Sequence, residues 1–226
     1  MLFSQPQQIL DIAIIMKTWP TKKLGEITRV FAGSSAPQGA HYFSNGKYPF
    51  VRVSDLGGAK NKNLVDVRDQ INDLALSELK PVLAKKGTIV FPKSGAAIAT
   101  NARTILGVDE YIVSHLAAIE ADMEKVLTDW LYLFLFDFDM TKLSANSAYP
   151  SLQLARIKEI EIPLPPLETQ RRIVAKIEKL FAKIDDASRL RAESSTASAA
   201  LLPSALNQIF SRAEKEGWEG RELAEF

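Results

Sequence analysis

The C-terminal part of the chain constrains the fold most, because it holds a helical apolar pattern too long for the core of an ordinary domain. Pro166 suits the first position of a helix, and Glu168 then lies in the first turn, where a negative charge complements the helix dipole. A helix over 167–210 contains 44 residues and is about 66 Å long at about 1.5 Å per residue. Such a helix predicts packing against a second helix.

Two segments interrupt the apolar pattern of this helix. Residues 188–200 are rich in Ser and Ala and contain no Gly, so we expect helix there rather than a flexible linker, because Ala is a strong helix former. Pro203 predicts a kink or a break. The apolar positions that recur at helical spacing on both sides of these segments are the candidates for helix packing: Leu167, Val174, Ile177, Phe181, Ile184, Leu202 and Ile209.

Upstream of the long helix, hydrophobic periodicity predicts a mixture of strands and short helices separated by glycine loops. Alternation predicts strands over 48–56 and 160–164, and a short apolar run after Lys85-Lys86-Gly87 predicts a buried strand over 88–91. Residues 111–120 read as a strand or a short helix. Helical spacing predicts helices over 74–83 and 129–138. The expected fold class is therefore α+β, with a globular domain followed by a long α-helix.

A motif near the N-terminus recurs at the C-terminus. Trp19 precedes Leu24 by five residues, and Trp218 precedes Leu223 by the same interval, 199 positions later. In both copies a small residue, a glutamate and an apolar residue follow the leucine. We interpret residues 213–226 as the truncated start of a second repeat. A single repeat would leave the apolar face of the helix uncovered, so we expect a second copy or another partner to cover it.

Charge is distributed unevenly along the chain, although the net charge is only +1. Residues 17–103 contain 14 Lys/Arg and 6 Asp/Glu, whereas residues 104–148 contain 2 and 8. This distribution suits a basic face that approaches phosphates, but ordinary scatter of surface charge explains it equally.

The absence of cysteine excludes a disulfide framework and a thiolate zinc site, and it favours a reducing cytoplasm. The most apolar N-terminal run, residues 9–16, is broken by Asp11 and is shorter than the roughly 20 residues that a membrane span needs. We therefore expect residues 1–16 to form a short helical segment that packs, and no membrane association.

Motifs of enzymes are incomplete in this chain. The Pro165–Pro166 pair lacks the flanking residues of an adenine methyltransferase motif, and the run 93–95 lacks the glycines of a P-loop. His41 and His115 are isolated, and we expect His115 to be packed because its neighbours are apolar. A nuclease cluster assembled from Asp73, Glu78 and Lys80 has a spacing that short helices produce routinely. We expect no catalytic residues, no metal and no cofactor.

Two conserved-looking runs carry a resemblance to a known family. The run IPLPPLETQRRIVAKI at 162–177, followed by LLPSAL at 201–206, closely resembles the central helical region of specificity subunits of Type I restriction–modification systems. The upstream part resembles one of that family's target-recognition domains, with its Trp-x4-Leu-Gly-Glu opening, GKYPFV strand and FPKSGAA loop. The resemblance covers about residues 17–226.

The resemblance implies a domain organisation and a set of partners. Family members usually carry two target-recognition domains, each for one half of a split DNA site, and two helical regions that pack antiparallel. It implies a target-recognition domain at 17–160 and a spacer helix region at 161–212 that forms an antiparallel coiled coil with a partner helix. It also implies binding to double-stranded DNA and to methyltransferase subunits, with a restriction subunit left open. The chain is then a non-catalytic, half-length subunit that forms a homodimer through its helix, or a piece of a longer subunit.

Base recognition requires polar or basic side chains on loops or at the ends of elements. The candidates for DNA contact are Arg52, Lys60, Asn61, Lys62, Lys93, Ser94, Thr100, Asn101, Arg103, Tyr149 and Ser151, of which the last two follow from the resemblance. Arg171, Arg172 and Lys176 are candidates for contact with a methyltransferase subunit. Solvated surface side chains are the alternative for each of these residues. At the level of the whole chain, the alternative is a coiled-coil adaptor that does not recognise DNA.

Overall fold

The computed structural model describes residues 19–56, 62–64, 66–144 and 150–217. The expected helical segment at 1–16, the second Trp motif at 218–226, and the candidates Lys60, Asn61 and Tyr149 lie outside these residues. The chain divides into two compact units, Met1–Val174 and Ala175–Phe226.

Strands of the first unit form three sheets. The five-stranded sheet has the order β2 (Thr28–Ala32), β10 (Leu116–Ala121), β7 (Ile89–Pro92), β8 (Thr104–Leu106), β4 (Asn63–Leu64). The four-stranded sheet has the order β5 (Asp69–Ile71), β3 (Tyr48–Val51), β9 (Glu110–Ile112), β6 (Leu83–Ala84). β1 (Thr21–Lys23) and β11 (Glu161–Pro163) form an antiparallel pair. Neighbouring strands are antiparallel except in the pairs β3–β9 and β4–β8, which are parallel.

The described residues contain six α-helices: α1 (Leu24–Ile27), α2 (Val53–Leu56), α3 (Asp73–Leu79), α4 (Thr128–Asp137), α5 (Leu154–Lys158) and α6 (Leu167–Lys215). Short 3-10 turns lie at Ala40–Tyr42, Ala96–Thr100 and Met140–Leu143. These elements confirm the expected α+β class with a long C-terminal helix. Within the described residues, no helix is long and apolar enough to cross a membrane.

The five-stranded sheet is buried on both faces, because its alternating side chains belong to two separate hydrophobic clusters. Ile89 and Phe91 of β7 pack with α1, α4 and α5 in one cluster, and Val90 packs with residues of the four-stranded sheet in the other. Val90 and Phe91 are both almost inaccessible to solvent. The result is a layer of helices, the larger sheet and the smaller sheet, a common way of burying one core.

Two predicted elements are shorter in the structure than the sequence pattern suggests. The strand expected over 48–56 ends at Val51 and is followed by the single-turn helix α2, in which the side chain of Asp55 accepts a hydrogen bond from the Arg52 N–H. The helix expected over 74–83 ends at Leu79, because Lys80 adopts a left-handed conformation, φ 45°, and Pro81 follows. The segment 111–120, expected to be a strand or a short helix, contains parts of two strands. β9 ends at Ile112, and β10 begins at Leu116 and continues to Ala121.

The first two turns of α6 are part of the first unit. Gln170 is completely buried, and its side-chain oxygen accepts a hydrogen bond from the Leu127 N–H at 2.9 Å. Its amide nitrogen donates to the carbonyl oxygens of Pro165 at 2.8 Å and Lys125 at 3.3 Å. Val174 is buried in the same hydrophobic cluster as α4. Val174 was expected to pack on a partner helix. It packs against its own domain instead, because the helix still contacts the domain at this position.

The remainder of α6 is continuous through both segments that interrupt its pattern. The Ser- and Ala-rich residues 188–200 are helical, as expected, and Pro203 lies inside the helix rather than at a break. Leu167 and Ile177 are half-buried. Of the other packing candidates, Phe181 is 50%, Ile184 58%, Ile209 52% and Leu202 68% exposed. These four side chains are uncovered in the single chain.

Candidate nucleic-acid interface

The C-terminal end of β7 continues as an irregular segment, Lys93 to Gly95, that is held by backbone hydrogen bonds on both sides. On one side the Lys93 N–H donates to the His115 carbonyl at 2.9 Å. On the other, the Leu152 N–H donates to the Lys93 carbonyl at 2.8 Å, and Ser94 forms an antiparallel bridge with Ser151. The segment is therefore fixed in place although it lies outside the sheet proper.

This segment and its two neighbours form a polar edge, which we define as Lys93, Ser94, His115 and Ser151. The Ser94 hydroxyl and His115 Nδ1 are 2.6 Å apart and share a hydrogen bond. His115 and Ser151 are exposed, and Lys93 and Ser94 are half-buried. The polar edge brings together three of the predicted DNA-binding residues, Lys93, Ser94 and Ser151, from two distant parts of the sequence.

His115 was not among the candidates, because its apolar neighbours in sequence predicted a packed ring. Its ring is exposed instead, since it lies in the tight turn between β9 and β10 rather than in either strand. The residues flanking the turn do pack: Val113 and Leu116 are buried. The signal that would have identified His115 is the cross-strand pairing with Lys93, which the sequence alone does not reveal.

Lys93 belongs to the lysines of the domain that form no ion pair in the described part of the chain, together with Lys80, Lys86, Lys142 and Lys158. Within the described part of the chain, no carboxylate lies within 4.0 Å of the Lys93 ammonium group. By contrast, Arg29, Lys47, Arg52, Lys62, Arg68, Lys85 and Lys125 each form an ion pair. With respect to the described residues, Lys93 can therefore offer its charge to a ligand without giving up an ion-pair partner.

Arg52 and Lys62 are candidates whose charges are already engaged. Arg52 Nε forms an ion pair with the Asp69 carboxylate, and its guanidinium lies 5.6 Å from the ring centre of Phe43. Lys62 forms an ion pair with Asp129 and lies 5.7 Å from the ring centre of Tyr132. Contact of either residue with DNA would require it to give up its ion-pair partner, which costs free energy. Both residues remain predicted DNA contacts.

Thr100, Asn101 and Arg103 stabilise the loop between the 3-10 turn and β8. The Thr100 hydroxyl donates to the Ala97 carbonyl at 2.7 Å. Asn101 has a left-handed backbone, φ 51°, and its side-chain oxygen accepts from the Met140 N–H at 3.3 Å. Arg103 is only 7% exposed, and Nη2 donates to the carbonyls of Asn101 and Phe138, each at 3.1 Å.

Burial also changes the electrostatics of Arg103, because removal from water lowers the pKa of its guanidinium to about 10. Within the described ranges of the chain, Nη1 has no hydrogen-bond partner. A guanidinium in this position faces the protein interior and not a DNA groove. We therefore do not retain Arg103 and Asn101 as base-contacting candidates; their role here is to hold residues 138–140 against the loop.

The three candidates for contact with a methyltransferase subunit lie on the first turns of α6, and all are exposed. Arg171 forms a weak ion pair with Glu168 at 3.6 Å. No ion pair of Arg172 or Lys176 is found among the residues that the structure describes.

The polar edge combines groups that bind oxygen atoms. Its Ser–His contact resembles the start of a nucleophilic triad, but in the described residues no carboxylate bonds to the other ring nitrogen. Across the described ranges, no cluster of three or more His, Cys, Asp or Glu could hold a metal ion. What the edge offers is the ammonium group of Lys93, a ring nitrogen and two hydroxyl groups, all of which can donate hydrogen bonds.

Comparison with known proteins gives consistent results over most of the chain. Residues 16–193 match the family model described as the Type I restriction modification DNA specificity domain. The Type I restriction enzyme MjaIX specificity subunit of Methanocaldococcus jannaschii is 32% identical over 172 residues, which are 75% of this chain and 39% of that protein. The HindI specificity subunit of Haemophilus influenzae is 24% identical over 178 residues, 75% of this chain and 37% of that protein. The chain thus spans well under half the length of these relatives.

Two solved structures share the fold. A chain from a study of complex assembly and conformational transition of the type I R-M system is 20% identical, with a TM-score of 0.65, and the match covers 90% of this chain and 53% of that one. The HsdS subunit from Thermoanaerobacter tengcongensis is 20% identical, with a TM-score of 0.57, over 81% of this chain and 46% of that one. With the family match over 178 of 226 residues, the chain belongs to the Type I restriction modification DNA specificity domain family.

Proposed function

We propose that this chain is a non-catalytic specificity subunit that recognises one half of a split DNA site for a Type I restriction–modification enzyme. Family membership supports this function at the level of the whole domain. The structural observation that carries it is the polar edge, where Lys93, without an ion-pair partner in the described residues, lies next to Ser94 in the chain and is hydrogen-bonded through its backbone to His115. Unpaired positive charge beside hydroxyl groups is the chemistry that DNA binding requires.

The proposal includes a second copy or repeat that supplies the other half-site. Phe181, Ile184 and Leu202 are each at least half exposed on α6, and they recur at helical spacing. These large apolar side chains favour association with a partner helix that covers them. Burial of each side chain would contribute about 1.5–3 kcal/mol to the free energy of association. A partner helix of the same sequence would make the two recognition domains identical, so the DNA target would be an inverted repeat with a spacer.

Methyltransferase subunits are the partners that would act on the DNA held by this chain. The proposal leaves open whether a restriction subunit also belongs to the complex. Arg172 and Lys176 support this part of the proposal, since both are exposed on the domain-proximal turns of α6. A coiled-coil adaptor remains the second candidate function, favoured by the length of α6, which contains 49 residues. That function leaves the unpaired Lys93 beside two hydroxyl groups without a purpose.

Salt-dependent retention on DNA distinguishes these functions. The purified chain is applied to immobilised duplex DNA and eluted with increasing salt, with an immobilised polyanion without bases, such as heparin, as the comparison. We expect retention on both matrices, and specific target DNA should compete more effectively than unrelated duplex once the target is known. A chain that passes through the DNA matrix at low salt contradicts DNA recognition and leaves the adaptor.

A further inference from the structure

We propose that Lys93, Ser94 and His115 together hold a backbone phosphate of the DNA and do not contact a base. This inference rests on the proposed function, and it assigns a role to His115 and a chemical target to the polar edge. It also separates these residues from the side chains that determine the DNA sequence. Contacts with phosphates position a protein on the duplex, whereas contacts with base edges determine which sequence it selects.

The donor groups of the polar edge fit a phosphate better than a base. Bidentate recognition of base edges uses Arg, Lys, Asn and Gln. Of these residue types the polar edge contains only Lys93, and a lysine ammonium group also binds phosphates as a point charge. The Lys93 ammonium group provides donors and no acceptor, and hydroxyl and imidazole groups can add further donors. A phosphate oxygen only accepts, so an arrangement dominated by donors matches it.

The contact between Ser94 and His115 prepares the ring for such a ligand. Nδ1 is occupied by the Ser94 hydroxyl at 2.6 Å. When Ser94 donates this hydrogen bond, the ring carries its proton on Nε2, which is then a donor. His115 is exposed, so Nε2 can reach an external oxygen. In this tautomer the hydrogen bond with Ser94 orients the ring and leaves Nε2 as its donor.

The charge and the backbone at this edge are favourable for the same ligand. The Lys93 ammonium has no carboxylate within ion-pair distance in the described ranges, so a phosphate meets an uncompensated positive charge. Hydrogen bonds of Lys93 to His115 and Leu152, at 2.9 and 2.8 Å, hold the backbone between two neighbouring segments. Binding therefore requires little ordering of the protein, which reduces its entropic cost.

The test measures DNA affinity of the full chain as a function of salt concentration, with two unrelated 30-base-pair duplexes as probes. Phosphate contacts are independent of sequence, so the probes need not contain the target. We expect Lys93→Ala to weaken binding to both duplexes by the same factor, roughly three- to tenfold, and to reduce the slope of log K against log salt by about 0.9. His115→Ala and Ser94→Ala should weaken binding to both duplexes by equal factors.

Lys86→Ala is the matched control, because Lys86 is an exposed lysine just before the opposite end of β7. Its affinity and salt slope should remain those of the unmodified chain. Unchanged binding by Lys93→Ala and His115→Ala, with normal binding by the unmodified chain, overturns the phosphate contact and leaves the proposed function standing. A loss confined to one of the two duplexes also overturns it, since that result indicates base contact. No binding by the unmodified chain refutes the proposed function itself. Thermal unfolding of each variant, measured in parallel, identifies any loss that comes from misfolding.

Discussion

The side-chain oxygen of Gln170 accepts a hydrogen bond from the Leu127 N–H at 2.9 Å, 43 positions earlier in the chain. Through this contact the first turns of the long helix are anchored to the turn that precedes α4. The amide nitrogen of Gln170 also satisfies the carbonyls of Pro165 and Lys125. Gln170 is thus a buried polar contact between the long helix and the domain that precedes it.

Replacement of Gln170 by Ala should lower the free energy of unfolding by about 2–3 kcal/mol, because buried backbone groups lose their partners. Denaturant unfolding monitored by tryptophan fluorescence measures this change, since Trp130 is buried in the same cluster as Val174. Gln208→Ala, at an exposed position of the same helix, is the control and should be neutral. Equal unfolding midpoints for the two variants would show that Gln170 does not stabilise the domain.

Arg103→Ala should affect stability and not DNA affinity. Its guanidinium is buried and bonds to the carbonyls of Asn101 and Phe138, so its removal should cost about 1–3 kcal/mol of unfolding free energy. Unfolding and DNA binding are measured on the same preparation, beside Lys93→Ala, for which the opposite pattern is expected. Full stability with weakened DNA binding in Arg103→Ala would place this arginine at the interface after all.

Glu110 should make the stability of the domain depend on pH. It is completely buried, and neither carboxylate oxygen has a hydrogen-bond partner among the residues that the structure describes. Burial, with a smaller contribution from the nearby Asp55, raises the pKa of Glu110 from 4.5 to about 7. The folded state therefore holds a proton that the unfolded chain releases between pH 4.5 and 7. The contribution of Glu110 to the free energy of unfolding is fully present below pH 4.5. About 3 kcal/mol of this free energy is lost as the pH rises from 4.5 through 7.

Glu110→Gln tests this dependence, because the amide has nearly the same shape and does not ionise. The variant should be more stable than the unmodified protein at pH 8, and the decline in unfolding free energy between pH 5 and 8 should be reduced. Glu124→Gln, at an exposed position, should retain the original pH profile. An identical profile for Glu110→Gln would indicate that Glu110 does not titrate in this range.

Phe181→Asp should weaken association through the long helix. Phe181 is 50% exposed in the single chain, and its burial against a partner would contribute about 1.5–3 kcal/mol, or a roughly ten- to hundredfold change in the dissociation constant. Light scattering over a concentration series measures the association. Lys183→Asp, two residues along and therefore on the opposite side of the helix, is the control. Monomers at all concentrations in the unmodified chain would contradict pairing.

Much of this fold follows from local sequence signals. The long helix is predicted because its apolar spacing, its N-terminal Pro166 and the absence of glycine in 188–200 all favour the same structure. The strand at 88–91 is predicted for a similar reason, since a short apolar run of β-branched and aromatic residues lies between turn signals. Local propensity and tertiary structure agree in these segments.

The sequence could not predict which polar residues are buried and which are available to a ligand, because this depends on contacts between distant segments. Arg103 and Lys93 have similar local surroundings in sequence, yet one is buried against Phe138 and the other borders His115. Val174 likewise belongs to the apolar positions at helical spacing in the sequence, but it lies where the helix still contacts its own domain. Spacing identifies the face of a helix and cannot identify what covers that face.

The central claim is that this chain determines which DNA sequence a methyltransferase modifies, as one half of a split recognition site. The most direct measurement is to co-express the chain with a methyltransferase subunit of its own system and to map every methylated adenine in the host genome. We expect methylation confined to one split sequence, and an inverted repeat if two copies of this chain supply the two halves. Methylation that is absent, or that is the same whether or not this chain is expressed, would contradict the claim.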